Sequence, residues 1–249
     1  MKLTIFYRNI ALTLGVILVT QSAHAAISLD RTRVILNGDQ HSQSLVISNQ
    51  NKSLPYLAQS WLENEQGQKI DNPLTALPPL QRVEPGARSQ VKVQITGAMS
   101  SLPQDRESLF YFNVREIPPK SKKPNTLQIA LQTRVKTFYR PEALIIKAGE
   151  GDIPQKQLTL TKVGDHYRLN NPTGYYITIV RVAASEKSAG LSGFKATMAA
   201  PKSSITLDGS AAALGTHPVL TYINDYGGRP QLIFDCHGSD CTVSNLKAG

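Results

Sequence analysis

Cysteine is almost missing from this chain, with only Cys236 and Cys241 among 249 residues, which excludes a disulfide-dense scaffold and a four-cysteine zinc site. Histidine is scarce as well. Beyond the first 25 residues there are His41, His166, His217 and His237, and none stands at a metal-ligand spacing such as H-E-x-x-H. A G-x-S-x-G elbow and a glycine-rich phosphate loop are also lacking. Gly190, Leu191, Ser192, Gly193 misses the elbow by one position and reads as a turn. These absences predict a protein that is not an enzyme and uses no cofactor and no metal. Aromatic residues are few and form no stacking series. The excess of basic residues therefore does not point to nucleic acid, and acidic partners or partners presenting a carboxylate fit it better.

Long apolar runs are limited to the start of the chain. Lys2 and Arg8 precede the apolar stretch Ile10 to Thr20, and Ala23, His24, Ala25 form an A-x-A cleavage signal, so residues 1–25 read as a secretory leader cut after Ala25. The stretch is short for a membrane span of about 20 residues, and no later run approaches that length, so an exported protein without membrane insertion is expected. Cleavage leaves 224 residues, enough for two domains of ordinary size. Without Lys2 and Arg8, 25 basic residues face 18 acidic ones, a net charge of about +7. Export places Cys236 and Cys241 in an oxidising compartment, where a local disulfide is the expected state. The adjacent His237 is too little for a metal site.

What the sequence does contain is short alternating runs between turn signals, the pattern of an all-β sandwich. Strands are expected near residues 27–36, 43–48, 56–63, 90–95, 108–117 and 126–138, then 157–161, 166–169, 175–182, 197–200, 204–207, 219–223 and 231–234. Gly227 and Gly228 mark a hairpin between the last two runs. The junction falls near Lys147, giving domains 26–146 and 147–249. The region Lys202 to Pro218 matches no pattern. Thr126 to Phe138 is the most informative run: Leu127, Ile129, Leu131 and Val135 fall on one side, and Gln128, Gln132, Arg134 and Lys136 on the other. Spacing alone leaves two readings open, an apolar row facing its own core or one offered to another chain.

Leu102 to Asn113 (LPQDRESLFYFN), followed by Arg115, Glu116, Ile117, Pro118, Pro119, resembles the signature of the periplasmic pilus-assembly chaperones of the chaperone/usher pathway, nearest to the kind that serves P pili. Leu29 to Arg33, Pro55 to Trp61, Phe138 to Pro141 and Tyr222 to Pro230 extend the likeness over the whole mature chain. The resemblance implies two immunoglobulin-like domains in an L shape, located in the periplasm. The implied task is to bind pilin subunits that lack their final strand, lend them a strand, and deliver them to an outer-membrane usher. It assigns Arg33 and Lys136 to the subunit's terminal carboxylate, Leu127, Ile129 and Leu131 to the donated row, and Glu107, Arg140 and Asp225 to an inter-domain charge network. The short loop from Pro118 to Asn125 is similar to the branch that assembles rod-like pili. An exposed apolar strand also allows a weak homodimer of the free chain. The alternative class is a fimbrial subunit or adhesin of the same fold, which would carry an N-terminal donor extension and lack a final strand.

Overall fold

A computed structural model describes residues 25–121, 123–146 and 153–249. The expected leader, save Ala25, and the expected junction near Lys147 lie outside the described residues.

Among the described residues the first half forms ten strands: β1 (Ile27–Leu29), β2 (Arg33–Asn37), β3 (Ser42–Asn49), β4 (Tyr56–Glu63), β5 (Lys69–Ile70), β6 (Leu74–Leu77), β7 (Leu80–Val83), β8 (Arg88–Ile95), β9 (Ser108–Ile117) and β10 (Gln132–Arg140). One sheet runs β1-β3-β8-β6. The other runs β2-β10-β9-β4-β5, with β7 also on β4. Alternation puts Leu45 and Ile47 of β3, Val91 and Val93 of β8, and Phe110, Phe112 and Val114 of β9 into the core between them. Each such side chain contributes about 1.5–3 kcal/mol on burial.

Two strand expectations need correction. The run 27–36 is two strands, because its apolar phase slips: Ile27 and Leu29 are odd-numbered, whereas Val34 and Leu36 are even. The chain accordingly leaves the first sheet after β1, which pairs with β3, and enters the second as β2, parallel to β10. The run 126–138 does not begin as a strand at Thr126. Pairing with β9 starts at Gln132, opposite Arg115, and continues to Tyr139, opposite Ser108. Beyond Ile117 the opposing chain is Pro118 and Pro119, which have no N–H to offer, so the ladder stops there. The apolar row therefore divides, with Val135 inside the protein's own core and Leu127, Ile129 and Leu131 outside it.

The second half has β11 (Thr159–Val163), β12 (His166–Asn171), β13 (Ile177–Ala183), β14 (Thr197–Ala199), β15 (Ser203–Thr206), β16 (Val219–Ile223), β17 (Gln231–His237) and β18 (Asp240–Lys247). They form one path, β14-β13-β16-β17-β18-β11-β12-β15, folded over a core that includes Leu160, Leu169, Ile177, Leu220, Leu232 and Phe234. The unpatterned region holds β15 and a helical turn, Ala211–Leu214, whose first turn is capped by Ser210 Oγ accepting from the Ala212 N–H at 3.2 Å. β16 and β17 pair as a hairpin around Gly227, whose φ of 86° suits glycine. β18 has weak alternation and is absent from the sequence reading. Cys236 and Cys241 are bonded directly across β17 and β18, with Cα atoms 3.9 Å apart.

Candidate functional site

The outward face of β10 builds the junction between the two sandwiches. Alternation sends Lys136, Phe138 and Arg140 to that face, and the parallel register sets them beside Arg33, Ile35 and Asn37 of β2. Each of the three meets the second domain. Lys136 Nζ donates to Thr178 Oγ1 at 3.3 Å, the Phe138 ring lies 5.6 Å from that of Tyr176, and Arg140 reaches Asp225 in the β16–β17 turn.

Arg140 is buried and doubly paired. Its Nε donates to Glu107 Oε1 at 2.9 Å, and its two terminal nitrogens grip Asp225 at 2.7 and 3.0 Å. The other oxygen of Glu107 accepts the Tyr176 N–H at 2.8 Å. Burial pushes the Glu107 carboxyl up, opposed by the Arg140 charge and the Tyr176 N–H. Desolvation would lower the Arg140 guanidinium, but the hydrogen bonds and charges of Asp225 and Glu107 outweigh it and hold the side chain as a cation.

Arg33 and Lys136 are register partners, one on β2 and one on β10. Arg33 is 7% exposed, and its terminal nitrogen donates to the Ile223 carbonyl at 3.1 Å, whereas its buried Nε has no acceptor. Burial lowers the Arg33 pKa, with Asp225 and Glu107 opposing. Burial and then the neighbouring Arg33 lower that of Lys136. Two adjoining, partly dehydrated cations, neither of them in an ion pair among the described residues, make a place where an anion gains more than it would in water. A cavity of about 840 Å³ lined by Arg31, Arg33, Glu107, Arg140, Tyr222 and Asp225 opens on one side of Arg33; Lys136 is not among the groups lining it.

From Lys136 the chain leads back to Leu131, about 16 Å away at roughly 3.3 Å per residue. Leu127, Ile129 and Leu131 are 86, 67 and 45% exposed. Among the described residues no backbone hydrogen bond holds Leu127 to Ala130.

The profile of the family described as "Pili and flagellar-assembly chaperone, PapD N-terminal domain" matches residues 26–145, and that of "Pili assembly chaperone PapD, C-terminal domain" matches residues 154–234. The chain belongs to this PapD family of pilus-assembly chaperones. The chaperone protein PapD of Escherichia coli is 54% identical over 230 residues, covering 92% of this chain and 94% of that protein. The probable fimbrial chaperone YfcS of Escherichia coli K12 is 48% identical over 240 residues, covering 96% and 94%. The crystal structure of the periplasmic chaperone SfaE superimposes with a TM-score of 0.67 at 32% identity, covering 83% of this chain and 98% of that one. The chain is thus a two-domain, immunoglobulin-like pilus-assembly chaperone.

In this frame the structure brings Arg33 to Lys136 and Arg140 to both Glu107 and Asp225, and leaves the three apolar side chains apart from either group. Sequence reasoning missed the contacts that the second domain supplies, Tyr176, Thr178 and the Ile223 carbonyl. A backbone carbonyl leaves no trace in sequence. The adjacent pair Tyr175 and Tyr176 is the available signal, since tyrosine, with an apolar ring and a polar end, is enriched at interfaces.

Proposed function

We propose that this chaperone captures pilin subunits by lending them the segment through Leu127, Ile129 and Leu131, while Arg33 and Lys136 hold the subunit's terminal carboxylate. The captured subunit then passes to an outer-membrane usher. The work takes place in the periplasm, after removal of the leader at Ala25, and involves no catalysis. The observation that carries this reading is the exposure of three large apolar side chains on the continuation of β10, which among the described residues makes no backbone hydrogen bond from Leu127 to Ala130. Burying them in a subunit groove contributes roughly 5–9 kcal/mol before ordering costs, and main-chain pairing sets the register. The buried, unpartnered Arg33 Nε supports an anionic ligand at the other end. Glu107, Arg140 and Asp225 serve as the brace that keeps the cleft in shape. Both sandwiches carry a closing strand, β10 and β18, which favours the chaperone over a subunit that lacks one.

Co-expression with pilin subunits followed by co-purification from periplasm tests the reading. Wild type should retain a subunit. Arg33→Ala and Lys136→Ala should each weaken retention by about 100-fold or more, the scale for removing one partner of a desolvated ion pair. Folded variants that bind as wild type would end the carboxylate-anchor mechanism.

A further inference from the structure

Glu116 is 6% exposed, yet among the described residues no cation lies within ion-pair distance of it. Its two carboxylate oxygens are directed at two backbone amides: Oε2 accepts from the Ile27 N–H at 2.9 Å, and Oε1 from the Leu131 N–H at 3.4 Å. The Glu116 N–H in turn donates to the Leu131 carbonyl at 3.0 Å. Ile27 opens β1 in one sheet, and Leu131 is the last residue before β10 in the other. The two segments do not pair with each other. A groove of about 720 Å³ runs between β1 and β10, lined by Ile27 and Leu29 on one side and Thr133 and Val135 on the other. A dehydrated carboxylate without a cation is costly, and packing alone would be served by an apolar side chain. What the carboxylate adds is a fixed relation between two chain segments.

We propose that Glu116 is a positioning residue for strand donation, its carboxylate fixing the base of the donated segment at Leu131 against the first strand at Ile27. This rests on the donated-strand reading above. Leu131 has both backbone groups engaged by Glu116, one by the side chain and one by the main chain. Continued in the same phase, the segment then turns the N–H and C=O groups of Ala130 and Gln128 to the free edge, where an incoming strand would pair. Leu127, Ile129 and Leu131 consequently leave the sandwich in one register, and the subunit meets a preset row, so less ordering is left to the binding step.

Site-resolved amide exchange on the unliganded chain reads the clamp. In Glu116→Ala and Glu116→Gln the Ile27 and Leu131 amides should exchange about tenfold faster or more, as for loss of a hydrogen bond to a charged acceptor, while amides of the second sandwich keep their rates. Capture kinetics read the function, with a pilin subunit that co-purifies with wild type as probe. The association rate constant per active molecule should fall by about tenfold in Glu116→Ala, and by less in Glu116→Gln, which keeps one acceptor and serves if the alanine variant does not fold. A purely structural role would lower the active fraction and leave the rate constant alone. Unchanged exchange at the two amides, or a wild-type rate constant in a variant whose amides exchange faster, overturns the proposal. Failure of the wild type to capture any subunit overturns strand donation itself, and this inference with it.

Discussion

Two neighbouring cations set the pH behaviour of the cleft. Burial and Arg33 hold the Lys136 ammonium below its ordinary pKa of 10.5, so on raising the pH it loses its charge before a free lysine would. Subunit affinity should therefore decline with rising pH in a window below the usual ammonium range, and Lys136→Arg, charged throughout, should flatten that decline; a binding titration checks both. Folding responds with the opposite sign. A lysine whose folded pKa lies below its unfolded one disfavours the folded state while charged, so the unliganded chaperone should gain stability as pH rises through the same window. At this scale the sequence was legible only through motifs. Arg33, Lys136, Glu107, Arg140 and Asp225 were each placed by the family resemblance, and nothing in local spacing separates them from solvated surface charges. Glu116 lies inside the same signature, and its partners are main-chain amides, which leave no trace in sequence.

The segment before β10 was half legible. Alternation from Leu127 to Val135 groups the apolar side chains by parity, but the structure divides the group, and parity does not say where pairing ends. Pro118 and Pro119 decide that on the opposing chain, and the groups on either side of Leu131 part company there, one to solvent and one to the core. Aspartate at Leu127, Ile129 or Leu131 should thus abolish subunit capture while changing unfolding free energy by about 0.5 kcal/mol or less, as for exposed positions. Aspartate at Val135, in the core, should unfold the first domain. Urea titrations run beside binding assays separate the two. The same logic explains the missed strands: β5 to β7 are two to four residues long and β18 is mostly polar, so neither length nor alternation announces them.

For the whole molecule, the decisive contacts cross between the sandwiches. Arg140→Ala should cost about 3–5 kcal/mol in denaturant unfolding, because it leaves Glu107 buried without its cation, and replacing both residues by apolar ones of similar volume should recover much of that. Asp105 forms a second, exposed bridge to Lys202 of the other domain. Hydrogen bonds from Lys202 and then Arg106 depress its carboxyl to about 2. A depressed carboxylate adds stability above its unfolded value, near 3.8, and loses it as pH falls through about 2. Thermal midpoints of Asp105→Asn and wild type should differ slightly at pH 5, less in high salt, and converge toward pH 2. The two-sandwich architecture was readable from turn spacing and strand count, whereas the angle between the halves depends on pairings separated by many tens of residues. Lys136, Phe138 and Arg140 share one face of one strand, so on the proposed reading the anchor for cargo and the fastening of the two halves are mechanically a single part. On that reading, retuning this chaperone for a different client by rebuilding that face would also reset the elbow, which would leave the free apolar segment as the place where selectivity can drift without bending the tool.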